Sequence, residues 1–117
     1  MGSTTIANAL QEFMNFSELL DDAYWEASTI AHKDSLYDII SIFSHEIAEL
    51  NKLSIQDHHY PYEIITEGIR RVIPKVEQLD RCKEEIVVRT RTLIDMREVI
   101  SNVIAILENL NGTTSDF

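Results

Sequence analysis

The stretch SHEIAELNKL, residues 44–53, sets a histidine beside one acid and four residues before another. An imidazole takes and gives protons near neutral pH, and an adjacent carboxylate can orient it and accept its proton. Glu46 and Glu49, three residues apart, carry the hard oxygen ligands that Mg2+ requires. His45 and Glu49 could join His58 or His59 around a transition metal, but those histidines lie beyond the predicted helix end. The competing reading is that all of these residues are solvated on the outside of an amphipathic helix, where such pairs contribute only tenths of a kcal/mol.

Their placement follows from the helix that must carry them. At about 100° per residue, with Leu36, Ile40, Phe43 and Ile47 facing the core, His45 points away from the core. Glu49 lies within about 40° of the same outward direction, and Glu46 sits on the flank, about 80° from the apolar centre. SLYD offers Ser35 as N-cap with Asp38 three residues on, which predicts a helix over 35–53 that ends before SIQDHHYP. Upstream, Ile6, Leu10, Phe13, Leu20, Tyr24, Ala27 and Ile30 recur at helical spacing behind Ser3 or Thr4 as cap. That predicts a helix over about 5–21, and the pattern leaves open an extension to 28.

Downstream, Val72, Val76, Leu79, Ile86, Leu93, Ile100, Ile104 and Leu107 mostly recur in steps of three, four or seven. Lys83, Thr90 and Arg97 fill the remaining places of a heptad, which favours two packed helices over one coiled-coil seam. The expected helices are 62–89, kinked at Pro74, and 92–110, with Thr92 and Asp95 as a capping pair and Asn111-Gly112 as the stop. The expected fold is therefore all-α, an up-and-down four-helix bundle, with residues 1–112 as one domain and 113–117 as a frayed tail. The alternative is one helix of about 70 Å over 62–110, whose apolar face a second chain would have to cover.

Composition supports that class. In 117 residues there are only three Gly and two Pro, few turn-formers for a many-stranded sheet. Ten Lys and Arg against twenty Asp and Glu give a formal net charge of −10, which disfavours nucleic acid and anionic membranes as partners. Residues 1–57 hold ten acids and two bases, whereas 58–117 hold ten acids and eight bases, all eight between Arg70 and Arg97. This asymmetry makes a homodimer an open alternative. A single cysteine, Cys82, and the lack of a signal peptide or membrane span point to a cytoplasmic protein without disulfides.

Two short resemblances attach to the opening residues. FSHEI, residues 43–47, resembles the start of the H-box of sensor histidine kinases, which implies His45 as phospho-acceptor with Glu46 assisting, in a phosphotransfer intermediate. Ala48-Glu49-Leu50 stands where that family has Arg-Thr-Pro, and the sequence holds no glycine-rich nucleotide box. Glu46-x-x-Glu49 followed by Glu77-x-x-Asp80 resembles the ExxE and ExxD pairs of MazG-type nucleotide pyrophosphohydrolases, which implies Mg2+ held by Glu46, Glu49, Glu77 and Asp80. In both cases the acids must turn toward shared chemistry, whereas Val76 and Leu79 claim the inward face around Glu77.

DHHYPY offers a different kind of site: a connection whose Asp57, His58, His59, Tyr60 and Tyr62 could form a partner-binding tip, or whose tyrosines could pin the next helix to the bundle. Trp25 has the same two readings. Cys82 reads as a small core residue, and Arg70, Arg71, Arg89 and Arg91 as solvated or paired with acids of the first two helices. No nucleophile, metal cluster or phosphate loop stands out in the sequence. The expectation is therefore a non-enzymatic regulatory or adaptor bundle that works by binding another protein and needs no cofactor.

Overall fold

A computed structural model describes the backbone of residues 4–86 and 90–115, and the side chains of 4–86 and 92–108. Among these residues there are five α-helices and one 3-10 turn: α1 (Ile6–Glu26), α2 (Ile30–Asn51), the turn Ile55–His59, α3 (Glu67–Arg70), α4 (Ile73–Ile86) and α5 (Thr90–Ser115). They pack compactly, with a radius of gyration of 14.3 Å against about 13 Å expected for a folded chain of this length. The longest dimension is 41 Å, too short for a single helix over 62–110.

Each long helix buries residues spaced alternately by three and four. In α1 and its C-cap these are Ile6, Ala9, Phe13, Phe16, Leu20, Ala23 and Ala27; in α2 they are Leu36, Ile39, Phe43, Glu46 and Leu50. Val72, Val76, Leu79, Lys83 and Ile86 repeat the pattern through α4, and Met96, Ile100, Val103 and Leu107 through α5. This spacing keeps one stripe of each helix facing its neighbours. Contacts link α1 to α2 and α5, and α4 to α5 and α2. Asn102 reaches Glu12 and Thr92 reaches Glu26, so α5 runs antiparallel to α1.

Several boundaries differ from the sequence expectation. Thr5 caps α1, accepting from the amide of Asn8 at 3.2 Å, where Ser3 or Thr4 was expected; Ser3 lies outside the described residues. The helix passes through Asp21 and Asp22 to Glu26, both aspartates being exposed, so their preference for local backbone bonds has no desolvation to compound it. α2 starts at Ile30, capped by the Thr29 hydroxyl at 3.1 Å from the His32 amide, and Ser35 is an interior helical residue. The first turn of α2 was illegible because Ile30 and Ala31 are exposed and carry no core periodicity.

The helix expected over 62–89 is broken at 71–72 into α3 and α4, and the largest correction falls on 62–66, which lies outside any helix. Its backbone is engaged elsewhere: the Tyr62 amide donates to the Thr4 carbonyl at 2.7 Å, the Ile6 amide donates to Tyr60 at 2.9 Å, and Thr5 and Pro61 form an antiparallel bridge. Pro74 does not kink a long helix but stands in the first turn of α4, where its missing N–H costs nothing. Thr92 lies within α5, its hydroxyl donating to Glu26 at 3.2 Å, and the helix continues through Asn111-Gly112 to Ser115. A single glycine weakens a helix without ending it. The break expected at 90–91 falls inside α5, which starts at Thr90; residues 87–89 lie outside the described residues, as do 116 and 117 of the expected tail.

Candidate functional site

Glu46 occupies a stripe position between Phe43 and Leu50, so helix periodicity drives its carboxylate into the core, where it has no exposed surface. The Tyr62 hydroxyl donates to its Oε2 at 2.6 Å, the Ile65 amide donates to the same oxygen at 2.9 Å, and the Thr66 amide donates to Oε1 at 2.8 Å. The Thr66 side chain makes no capping bond at the start of α3, and Glu46 instead fixes the approach to that helix from sixteen to twenty residues upstream. A buried acceptor with three donors meets the condition under which a polar group can sit in a core.

Tyr62 completes this arrangement. It is 1% exposed, with its ring edge-to-face on Phe13 at 5.4 Å, and Phe13 and Phe16 pack edge-to-face on Phe43 at 5.2 and 5.1 Å. Burial, and then its hydrogen bond to Glu46, hold the Tyr62 hydroxyl far above the usual tyrosine range, so it stays a donor. Tyr62 is therefore a core residue and cannot be part of a surface tip.

His45 is exposed on α2, as its helical phase predicts, while the neighbouring acid turns inward. Both oxygens of Glu46 are engaged with Tyr62, Ile65 and Thr66, an arrangement different from the His-Glu cooperation that the H-box resemblance implies. Glu49 pairs with Lys52 at 2.7 Å, and Asp80 pairs with Lys83 at 2.6 Å. Glu77 is half-buried on α4. Among the described residues no group of three or more His, Cys, Asp or Glu side chains is placed to hold a metal ion.

The DHHYPY segment divides by role. Asp57 accepts from the Ser54 hydroxyl at 2.9 Å, and His58 Nε2 donates to the Leu50 carbonyl at 3.2 Å, so both close the turn after α2. His59 and Tyr60 face outward, Tyr60 with 63% of its surface exposed. Tyr60 and Ile65, the latter 44% exposed, line a groove of about 390 Å3 with Ile6, Leu50, Leu53 and Pro61, and Ile55, in the 3-10 turn just before, is 82% exposed. Ile55 and Ile65 were missed in the sequence, since neither belongs to a periodic helix face; isolated isoleucines in a polar connection were the available signal.

Cys82 lines a second groove, between α2 and α4, with His32, Lys75 and Glu85. Burial and then the charge of Glu85 push its thiol up, which keeps it protonated and unreactive. Arg70 and Arg71 are solvated, the first of the two alternatives expected for them, and both approach Glu67 rather than α1 or α2; the side chains of Arg89 and Arg91 lie outside the described residues. None of the described helices is long and apolar enough to cross a membrane. Comparison with protein-family models, with curated proteins and with solved structures finds no match for this chain.

Proposed function

We propose that this chain is a non-enzymatic interaction module, an up-and-down bundle of four long helices (α1, α2, α4 and α5) that acts by binding another protein. The observation that carries the reading is the apolar groove lined by the exposed Tyr60 and Ile65, with Ile55 left in water on the 3-10 turn just before it in the chain. Exposed apolar groups of this size, with Glu63 beside them in the lining, are the kind of surface that a partner's side chain desolvates. The engagement of Glu46 in the core supports the same reading, because the best acid of the SHEIAELNKL stretch is spent on the fold. A second copy of the chain is one occupant the groove could take, and a cytoplasmic setting suits the single thiol.

The test is quantitative capture from the source cells, with wild-type protein beside Ile55→Ser/Tyr60→Ala and His45→Ala. A discrete protein retained by wild type and His45→Ala, and lost by the double variant, is expected. Equal capture by all three, or loss only in His45→Ala, contradicts the proposal. Light scattering of the same three proteins tells a homodimer from a monomer.

A further inference from the structure

The opposite end of the molecule, where α1 turns into α2, carries a second patch of a different character. Trp25 is 74% exposed, Ile30 78% and Tyr37 65%, although ordinary folding would cover a tryptophan and an isoleucine. Ile30 and Tyr37 are two helical turns apart on one strip of α2. Trp25 joins them through Lys33, whose Nζ donates to the Tyr24 carbonyl at 2.6 Å and lies 4.5 Å from the Tyr24 ring centroid and 5.8 Å from that of Trp25. The patch is rimmed by exposed acids: Glu18 and Asp21 on the outward face of α1, and Asp34 between Ile30 and Tyr37. α1 contains no base, and among the described residues none of these three acids meets a cation.

From this we infer that the α1–α2 end is a docking surface for a basic amphipathic segment of another protein. Apolar side chains of that segment cover Trp25, Ile30 and Tyr37, while its Lys or Arg groups meet Glu18, Asp21 and Asp34. Charge complementarity selects this occupant. An acidic rim repels phosphate-bearing surfaces and acidic helices, and Lys33, the one lysine or arginine at this end among the described residues, is already held by the Tyr24 carbonyl. This surface does not depend on the Tyr60 end, and either can fail without the other.

Trp25 is the single tryptophan, so its fluorescence reports this end alone. The experiment titrates the full chain with a Lys/Leu amphipathic peptide and with its Glu/Leu counterpart, and adds uncharged phosphatidylcholine vesicles as a third probe. The expected result is a saturable blue shift with the Lys/Leu peptide only. That affinity should fall about tenfold in Glu18→Gln/Asp21→Asn/Asp34→Asn, fall with added salt, and stay unchanged in Tyr60→Ala. Each single neutralising variant is run beside the triple, so that a folding defect in one leaves the others to decide. No shift, an equal shift with the Glu/Leu peptide, or undiminished binding by the neutralised variants overturns the proposal. A shift on vesicles without one on the Lys/Leu peptide also overturns it and assigns the patch to lipid.

Discussion

At the scale of single residues, the molecule turns on a carboxylate that looks chemical and acts structurally. Replacing Glu46 with Ala leaves the buried Tyr62 hydroxyl and two part-buried amides without their acceptor, and an orphaned buried donor costs about 1–3 kcal/mol. The expected loss is at least about 3 kcal/mol of unfolding free energy, read from urea denaturation. Glu46→Gln should lose less, since its amide keeps one acceptor oxygen. A Glu46→Ala protein as stable as wild type would show that segment 62–66 is held by something else. Tyr62 adds a pH dependence. Its folded pKa is raised, so its contribution is intact below the unfolded value of about 10 and is lost as pH rises above that. Urea midpoints taken from pH 8 to pH 11 should fall more steeply for wild type than for Tyr62→Phe; parallel curves would refute the assignment. The sequence reading centred the inward face on Leu36, Ile40, Phe43 and Ile47 and put Glu46 on its flank, whereas the buried stripe runs Leu36, Ile39, Phe43, Glu46 and Leu50. The three donors of Glu46 were not legible, because they arrive from a segment whose sequence reads as helix.

At the scale of elements, caps and backbone engagement decide boundaries that hydrophobic spacing leaves vague. Thr29→Ala should destabilise the protein by about 1 kcal/mol by uncapping α2, whereas Ser35→Ala, at an exposed interior position, should be neutral or slightly stabilising. The reverse order in thermal melts would restore Ser35 as the helix start. A Cβ at Gly68 would meet Ile42 Cγ2 at 3.4 Å, an ordinary contact, and the glycine has no positive φ. Gly68→Ala should therefore fold with unchanged or slightly higher stability, since it lowers the entropy of the unfolded chain. The four long helices were readable because their buried residues are mostly apolar and regularly spaced. The 62–66 segment was not, because its conformation is set by Thr4, Ile6 and Glu46, none of them near it in sequence.

At the scale of the whole molecule, charge is arranged differently from what the halves of the sequence suggest. Among the described residues Arg70, Arg71, Lys83 and Arg97 pair with acids of their own half, while Lys75 crosses to α2, at Asp38. The acidic surface of α1 is left without bases of its own, and with a net charge of −10 the fold works against self-repulsion. Raising NaCl from about 0.02 M to about 0.5 M should therefore raise the urea midpoint, because screening shortens the reach of that repulsion to a few Å. A lower midpoint would mean that local ion pairs outweigh it. Large exposed apolar side chains include Tyr60 and Ile65 at one end of the molecule and Trp25 and Ile30 at the other, the surfaces on which the proposed binding rests.

The account stands or falls on whether a partner sits at the Tyr60 end or over His45. The most direct measurement places a photo-crosslinking amino acid at position 60 in one protein and at position 45 in another, and illuminates both in the source cells. The account predicts an adduct of discrete mass from position 60 and none from position 45. An adduct from position 45 with none from position 60 would contradict it, and would return the SHEIAELNKL face to the centre of the functional question.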